Sequence, residues 1–265
     1  MLRTMSRQAP PDMRDWGLVR AAELERIVIV SPHLDDAVLG CSYLMAAHPG
    51  TTVVTVFAGR PAEYPTPMER WDALCGFEPG DEVHAARRAE DRAALEVLDA
   101  TPVWLDFIEH SYLERRDWMT PDQVVDGLAE TLDELSPTAV FAPFGLGNPD
   151  HDCTHEAALL ARERIRSSGG PAWFCYEDTG YKHIPGLLAW RVAKLLRSGA
   201  WPTPAAVPVD PDRARKAAAV ACYPSQLRAL EADWQIGPKL DAPSPEQYWR
   251  LAPPPEGWER LADSI

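Results

Sequence analysis

The chain has 265 residues, 46% apolar and 25% charged, with a formal net charge of −14, values of an ordinary globular protein long enough to bury a substantial core. So acidic a surface argues against nucleic acid as a partner, since phosphate binding needs clustered Lys and Arg, and against anionic membranes. No stretch reaches the ~18 uninterrupted apolar residues of a membrane span, and residues 1–17 lack the apolar centre of a secretory signal.

Residues 1–25 form a polar lead-in, with Pro10 and Pro11 preventing an early helix. Arg26–Val30 is a β-branched run without alternation, the pattern of a strand buried on both faces. A helix over 36–48 and a second buried strand over Thr52–Ala58 complete a βαβ unit, which implies a parallel sheet. Residues 59–80, with Pro61, Pro65, Pro67, Gly76, Pro79 and Gly80, form a long loop over the site. An amphipathic helix follows over 81–99, then a strand over Val103–Phe107. The next helix, 121–135, is opened by Thr120 as N-cap and Pro121 at its first position. Thr138–Pro143 is a fourth strand, 153–167 a helix and Trp173–Tyr176 a fifth strand. Further helices fall at 210–222 and 225–234, and a Pro-rich extended tail begins at Pro238. The expectation is one α/β domain: a Rossmann-like, mostly parallel sheet flanked by helices with an irregular C-terminal elaboration, divided into lead-in 1–25, catalytic core 26–235 and Pro-rich tail 236–265.

The cysteines, Cys41, Cys75, Cys153, Cys175 and Cys222, are odd in number, scattered and without a CxxC pair. They read as free thiols of a cytoplasmic protein.

Two segments carry chemistry. Ser31-Pro32-His33-Leu34-Asp35-Asp36 follows the first strand, and Gly145-Leu146-Gly147-Asn148-Pro149-Asp150-His151-Asp152 follows the fourth. Loops at the carboxyl ends of parallel strands share one edge of the sheet, where ligands collect. A His beside a strand is commonly a surface residue and an Asp at a helix start an N-cap. Two successive carboxylates at a buried strand end, however, repel unless a cation lies between them. His33, Asp36 and His151 make a two-imidazole, one-carboxylate set that leaves zinc an open position for water, as in catalytic sites; Fe(II), Co(II) and Ni(II) also suit it. Asp35 is then free to take the proton of that water, and Asp150 to orient a ligand imidazole. The first strand–helix turn has no GxGxxG, which argues against a dinucleotide-dependent dehydrogenase.

These segments resemble the paired signatures, (A/P)-H-x-D-D and H-P-D-H, of the PIG-L/LmbE family of zinc-dependent N-deacetylases. Supporting segments are Arg87-Arg88-Ala89-Glu90-Asp91 with Ala94, Leu95 and Leu98, followed by Asp99 where Gly is usual; Tyr176-Glu177-Asp178; and Lys216 through Tyr223-Pro224-Ser225-Gln226-Leu227. The resemblance covers about residues 27–230. It implies a Rossmann-like fold, His33, Asp36 and His151 as metal ligands, Asp35 as general base, and hydrolysis of an N-acyl group, normally acetyl, on a small molecule such as an amino sugar or specialised metabolite.

One departure stands out. Asn148 replaces the first His of the second motif, a residue that in the family stabilises the oxyanion or protonates the leaving amine. An amide can do only the first of these, and losing one oxyanion donor costs on the order of 10²–10³ in rate. Leu146 also stands where some members carry an assisting Tyr. Asp35 returning its proton to the amine is the simplest repair, with His155 and His183 as alternative donors. Trp71 and Arg88 are the candidate substrate contacts. The rivals are an amidase for a bulkier natural-product amide and a non-catalytic metal- or ligand-binding protein of the same fold. The expected partner is a small N-acylated substrate, and monomer or homo-oligomer is left open.

Overall fold

In the computed structural model, which describes residues 17–165, 170–241 and 246–253, a seven-stranded sheet runs in the order β3-β2-β1-β4-β5-β7-β6. The strands are β1 (Ile27–Ser31), β2 (Thr52–Thr55), β3 (Thr101–Trp104), β4 (Ala139–Pro143), β5 (Ala172–Tyr176), β6 (Pro202–Ala205) and β7 (Tyr248–Leu251). The helices are α1 (Asp36–Ala47), α2 (Arg70–Cys75), α3 (Val83–Val97), α4 (Pro121–Leu135), α5 (Pro149–Ile165), α6 (Leu187–Arg197), α7 (Arg213–Val220), α8 (Pro224–Trp234) and α9 (Ile236–Asp241).

The first five strands are parallel, with Ile29 opposite Val53 on one side and Phe141 on the other. Side chains alternate along each strand, so both faces need cover. Ile29, Val53, Phe141 and Phe174 face one apolar layer with residues of α1, α3 and α7. Val28, Val30, Val54 and Val140 face the other, with residues of α4 and α5. The unbroken β-branched runs of β1 and β2 follow from this two-sided burial. Strand order reverses between β1 and β4. Their following helices, α1 and α5, leave to opposite faces and open a crevice at the carboxyl ends, the ligand position of open α/β sheets.

Several sequence expectations shift. The helix expected at 153 starts at Pro149, because Asn148 Oδ1 accepts the Asp150 N–H at 2.8 Å and Pro149 is preset for the first turn. The second motif is therefore a helix N-terminus as well as a loop. β3 ends at Trp104, and Asp106 makes only an isolated bridge to Phe57. The 59–80 loop contains α2, capped by the Glu69 carboxylate on the Trp71 and Asp72 N–H groups and closed by Gly76 at φ +92°. Asp99 has φ +52°, the left-handed region in which Gly is the usual residue. α6, α9, β6 and β7 were not anticipated. β6 carries Pro202 and Pro204, tolerable because it is an edge strand. β7, within the segment expected as an extended tail, inserts antiparallel between β5 and β6. The lead-in through residue 16 and the chain beyond 253 lie outside the described residues.

Candidate metal centre

The first turn is stitched by Ser31, whose hydroxyl donates to the His33 carbonyl at 2.7 Å and accepts the Ala37 N–H at 3.0 Å. The His33 N–H in turn donates to Asp36 Oδ2 at 3.0 Å. Backbone and side chains thus fold back on one point, at the end of a strand that cannot shift without breaking its register with β2 and β4.

On the opposite wall, Gly145 (φ +73°) and Gly147 (φ +69°) bring the second motif in. A Cβ on Gly145 would lie 2.8 Å from the His151 carbonyl oxygen, and one on Gly147 would lie 2.3 Å from the Tyr181 ring. Only glycine lets α5 start this close to the sheet.

One ligand atom each of His33, Asp36 and His151 lies within 4.8 Å of the other two. Asp36 Oδ2 is 3.2 Å from both His33 Nδ1 and His151 Nε2. The other ring nitrogens are engaged from behind: His33 Nε2 meets Asp150 Oδ2 at 3.0 Å, and His151 Nδ1 meets Asp178 Oδ1 at 2.6 Å. A carboxylate behind each imidazole fixes the ring and makes the forward nitrogen the electron donor, as at metal-binding histidines. The donor set therefore fits a divalent metal of zinc type.

The electrostatics agree. Burial lowers the affinity of His151 for a proton, but Asp36 and Asp178 outweigh it and raise its pKa to about 9. His33 is likewise raised, against burial, by its bonds to Asp150 and Asp36. Asp36 is held far below the carboxylate range, against burial, by the two imidazoles. In the metal-free site the two imidazoles hold protons against the Asp36 carboxylate, supplying the positive charge that a metal would otherwise bring. Asp35, 8% exposed, is the opposite case: burial first, then the Asp36 charge, pushes its carboxyl up to about 7.

The triad opens into a cavity of about 290 Å³ lined also by Asp35, Trp71, Arg87, Glu109, His110, Asn148, Tyr181 and Trp234, among others. Trp71 sits on α2 and donates its indole N–H to Gln226 at 3.0 Å. Arg88 does not line the cavity. Its guanidinium is used on the Ala58 carbonyl, at 2.6 Å and 3.0 Å, and on Asp106, because on α3 it points toward β2 and β3 rather than the crevice. Its neighbour Arg87 does line it, ion-paired with Glu109 at 2.6 Å. His155 is also outside: its Nδ1 meets the Pro143 carbonyl at 2.8 Å, and its Nε2 is buried with no hydrogen-bond partner among the described residues. His183 is not among the lining residues, and Leu146 is fully buried in the core.

Sequence reasoning missed Asp178, His110, Glu109 and Tyr181. Asp178 stood in a recognised segment without a role; the others lie in irregular loops after β3 and β5. Tyr181 packs edge-on against the His151 ring, 5.1 Å between centroids, and hydrogen-bonds Asn148. The supporting segments meet one another: Tyr223 donates to Asp91 at 2.8 Å, and Ser225 donates to Glu90 at 2.6 Å.

A family model described as PIG-L, GlcNAc-PI de-N-acetylase, matches residues 28–162. No curated relative matches the chain by sequence. Among solved structures, the A40926 pseudoaglycone deacetylase Dbv21 is 29% identical, with 87% of this chain and 100% of that chain covered and a TM-score of 0.69. The teicoplanin deacetylase Orf2, in a form described as zinc-inhibited, is 26% identical over 88% of this chain and 100% of its own, TM-score 0.66. The 4-carboxy-2-hydroxymuconate hydratase GalB of Pseudomonas putida, 18% identical over 87% of this chain and 98% of its own, TM-score 0.53, shares the fold. A hydratase on this scaffold means the reaction has to be argued from the site.

Proposed function

This chain belongs to the PIG-L, GlcNAc-PI de-N-acetylase, family, and from that premise we propose that it is a cytoplasmic zinc hydrolase that removes an acetyl group from the amide nitrogen of an amino sugar or specialised-metabolite scaffold. The observation that carries this is the joint presence, at one cavity, of the His33–Asp36–His151 triad and of Asp35, a buried carboxylate that metal binding alone would not need. The cavity is at the lower limit of small-ligand sites, about 300 Å³. It suits one ring and a small acyl group between Trp71, Tyr181 and Trp234, with any larger scaffold at the mouth.

In this reading His33, Asp36 and His151 hold the metal. A bound zinc ion supplies polarisation of the amide carbonyl and a water whose pKa is lowered to roughly 7. Asp35 takes a proton from the attacking water as the new C–O bond forms. The oxygen of the former carbonyl gains negative charge, and Asn148 is the cavity-lining amide placed to meet it: its Oδ1 is committed to the Asp150 N–H, which leaves its amide N–H as the group that can donate. Collapse of the tetrahedral adduct returns the electrons to the carbonyl and breaks the C–N bond toward nitrogen, which must gain a proton to leave.

The test is elemental analysis of the purified protein, then acetate release from N-acetylated amino sugars, free and carried on aromatic scaffolds. About one zinc per chain with acetate release is expected. Zinc-loaded protein that frees no acid from any amide would refute the hydrolase reading, and release of longer acids only would shift it to a bulkier amide. A second expectation concerns Asp178, which orients His151 from behind. Asp178→Asn should weaken zinc affinity about 10- to 100-fold, read by competition with a chelator, and zinc at wild-type affinity would contradict that role.

A further inference from the structure

Asn148 has no proton to give near neutral pH, so the departing amine needs a donor from elsewhere. Among the described residues, His110 is the one imidazole that lines the cavity yet has no part in the triad. It begins a short 3-10 turn (His110–Tyr112) that follows β3. Its backbone N–H donates to Asp150 Oδ2 at 3.1 Å, and its Nδ1 to the same oxygen at 2.9 Å. Asp150 also accepts from His33 Nε2 at 3.0 Å, so His110 and His33 share one carboxylate. The His110 ring is further held edge-on by Trp118, 5.1 Å between centroids at 83°.

These contacts fix the tautomer and the orientation. With Nδ1 committed to Asp150, Nε2 is the ring nitrogen left to meet a ligand, on a side chain that lines the cavity and is 24% exposed. A carboxylate behind an imidazole whose far nitrogen faces the reacting group is the arrangement of a general acid or base. His155, the alternative donor, is enclosed at the Pro143 carbonyl and cannot reach the cavity without moving α5.

We propose that His110, through Nε2, protonates the departing amine nitrogen, the work that the motif His does elsewhere and that Asn148 cannot do; this rests on the hydrolase reading above. As the C–N bond breaks with its electron pair going to nitrogen, the Nε2 proton moves to that nitrogen and the imidazole becomes neutral. The product acid and protonated Asp35 each release one proton. One restores His110 and the other converts the free amine to ammonium, so carboxylate and ammonium leave with the enzyme in its starting state.

The test compares wild type, H110Q, H110A and the double variant H110Q/N148H, all zinc-loaded, on an N-acetyl substrate that the wild type turns over. H110Q and H110A should keep zinc and KM while kcat falls about 100- to 1000-fold. The double variant, with a His restored at 148, should recover at least tenfold over H110Q, a gain that a purely structural role for His110 would not give. A kcat within threefold of wild type would overturn the proposal and leave Asp35 as the proton carrier. So would zinc loss matching the loss of turnover, or no recovery in the double variant. Absence of turnover in wild type would instead overturn the hydrolase reading itself, and this proposal with it.

Discussion

Asp36→Ala should give a folded protein that retains no zinc after dialysis and has no measurable turnover. Asp36 Oδ2 sits 3.2 Å from a nitrogen of each imidazole and also accepts the His33 N–H at 3.0 Å. It is therefore the only anion of the triad and the clamp that closes the first turn. Removing it leaves two imidazoles, whose rings lie 5.1 Å apart between centroids, with neutral donor atoms alone. Loss of a residue behind a metal ligand already costs about 10- to 100-fold in affinity, so loss of the anionic ligand should exceed 100-fold. Folding should survive, because the site lies at the carboxyl edge of the sheet and neither apolar layer includes Asp36. The checks are metal content by elemental analysis and a cooperative thermal transition. Stoichiometric zinc in Asp36→Ala would remove the triad as the metal centre.

How far this centre could be read from the sequence depends on chain distance. His33 and Asp36 lie within four residues of one another, and β1, a solid apolar run, announces where that turn must be. His151 lies far along the chain, yet the alternation of strands and helices puts its loop at the same edge, since β1 and β4 become neighbours in a parallel sheet. What could not be read is what irregular backbone decides. His110 and Glu109 follow a strand whose end was expected near Phe107 and falls at Trp104, and no periodicity says which way a loop residue faces. Arg87 and Arg88 show the limit most sharply. Successive positions on one helix point about 100° apart, and the sequence favours Arg88 no less than Arg87, whereas only Arg87 reaches the cavity. The C-terminal strands were hidden for a different reason. Pro202 and Pro204 argue against a strand, and the edge position that excuses them is a property of the assembled sheet.

Asp35→Asn should lower kcat by about 10³ with zinc content unchanged, within the range for loss of a general base and equivalent to about 4 kcal/mol of barrier. The substitution keeps size and hydrogen-bonding shape but cannot take a proton from water. Asp35 is not one of the three candidate ligands, so metal content should be indifferent to it. The same variant should change stability in the opposite direction. Asp35 is buried beside the Asp36 charge, and its carboxyl is pushed up from 3.8 to about 7. A carboxyl with a raised folded-state pKa leaves the fold unpenalised below its unfolded value and weakens it progressively as pH rises through the folded one. Ionised Asp35 is thus a burden on the metal-free protein that grows between about pH 4 and pH 7 and is fully present above. Neutral Asn removes that burden. Metal-free Asp35→Asn should therefore melt at a higher temperature than metal-free wild type at pH 8 and at nearly the same temperature at pH 4, measured by scanning calorimetry on chelator-treated samples. Lower stability at pH 8 together with lost turnover would mean that Asp35 serves the fold. Higher stability with lost turnover is what a base held ready at the expense of the fold requires.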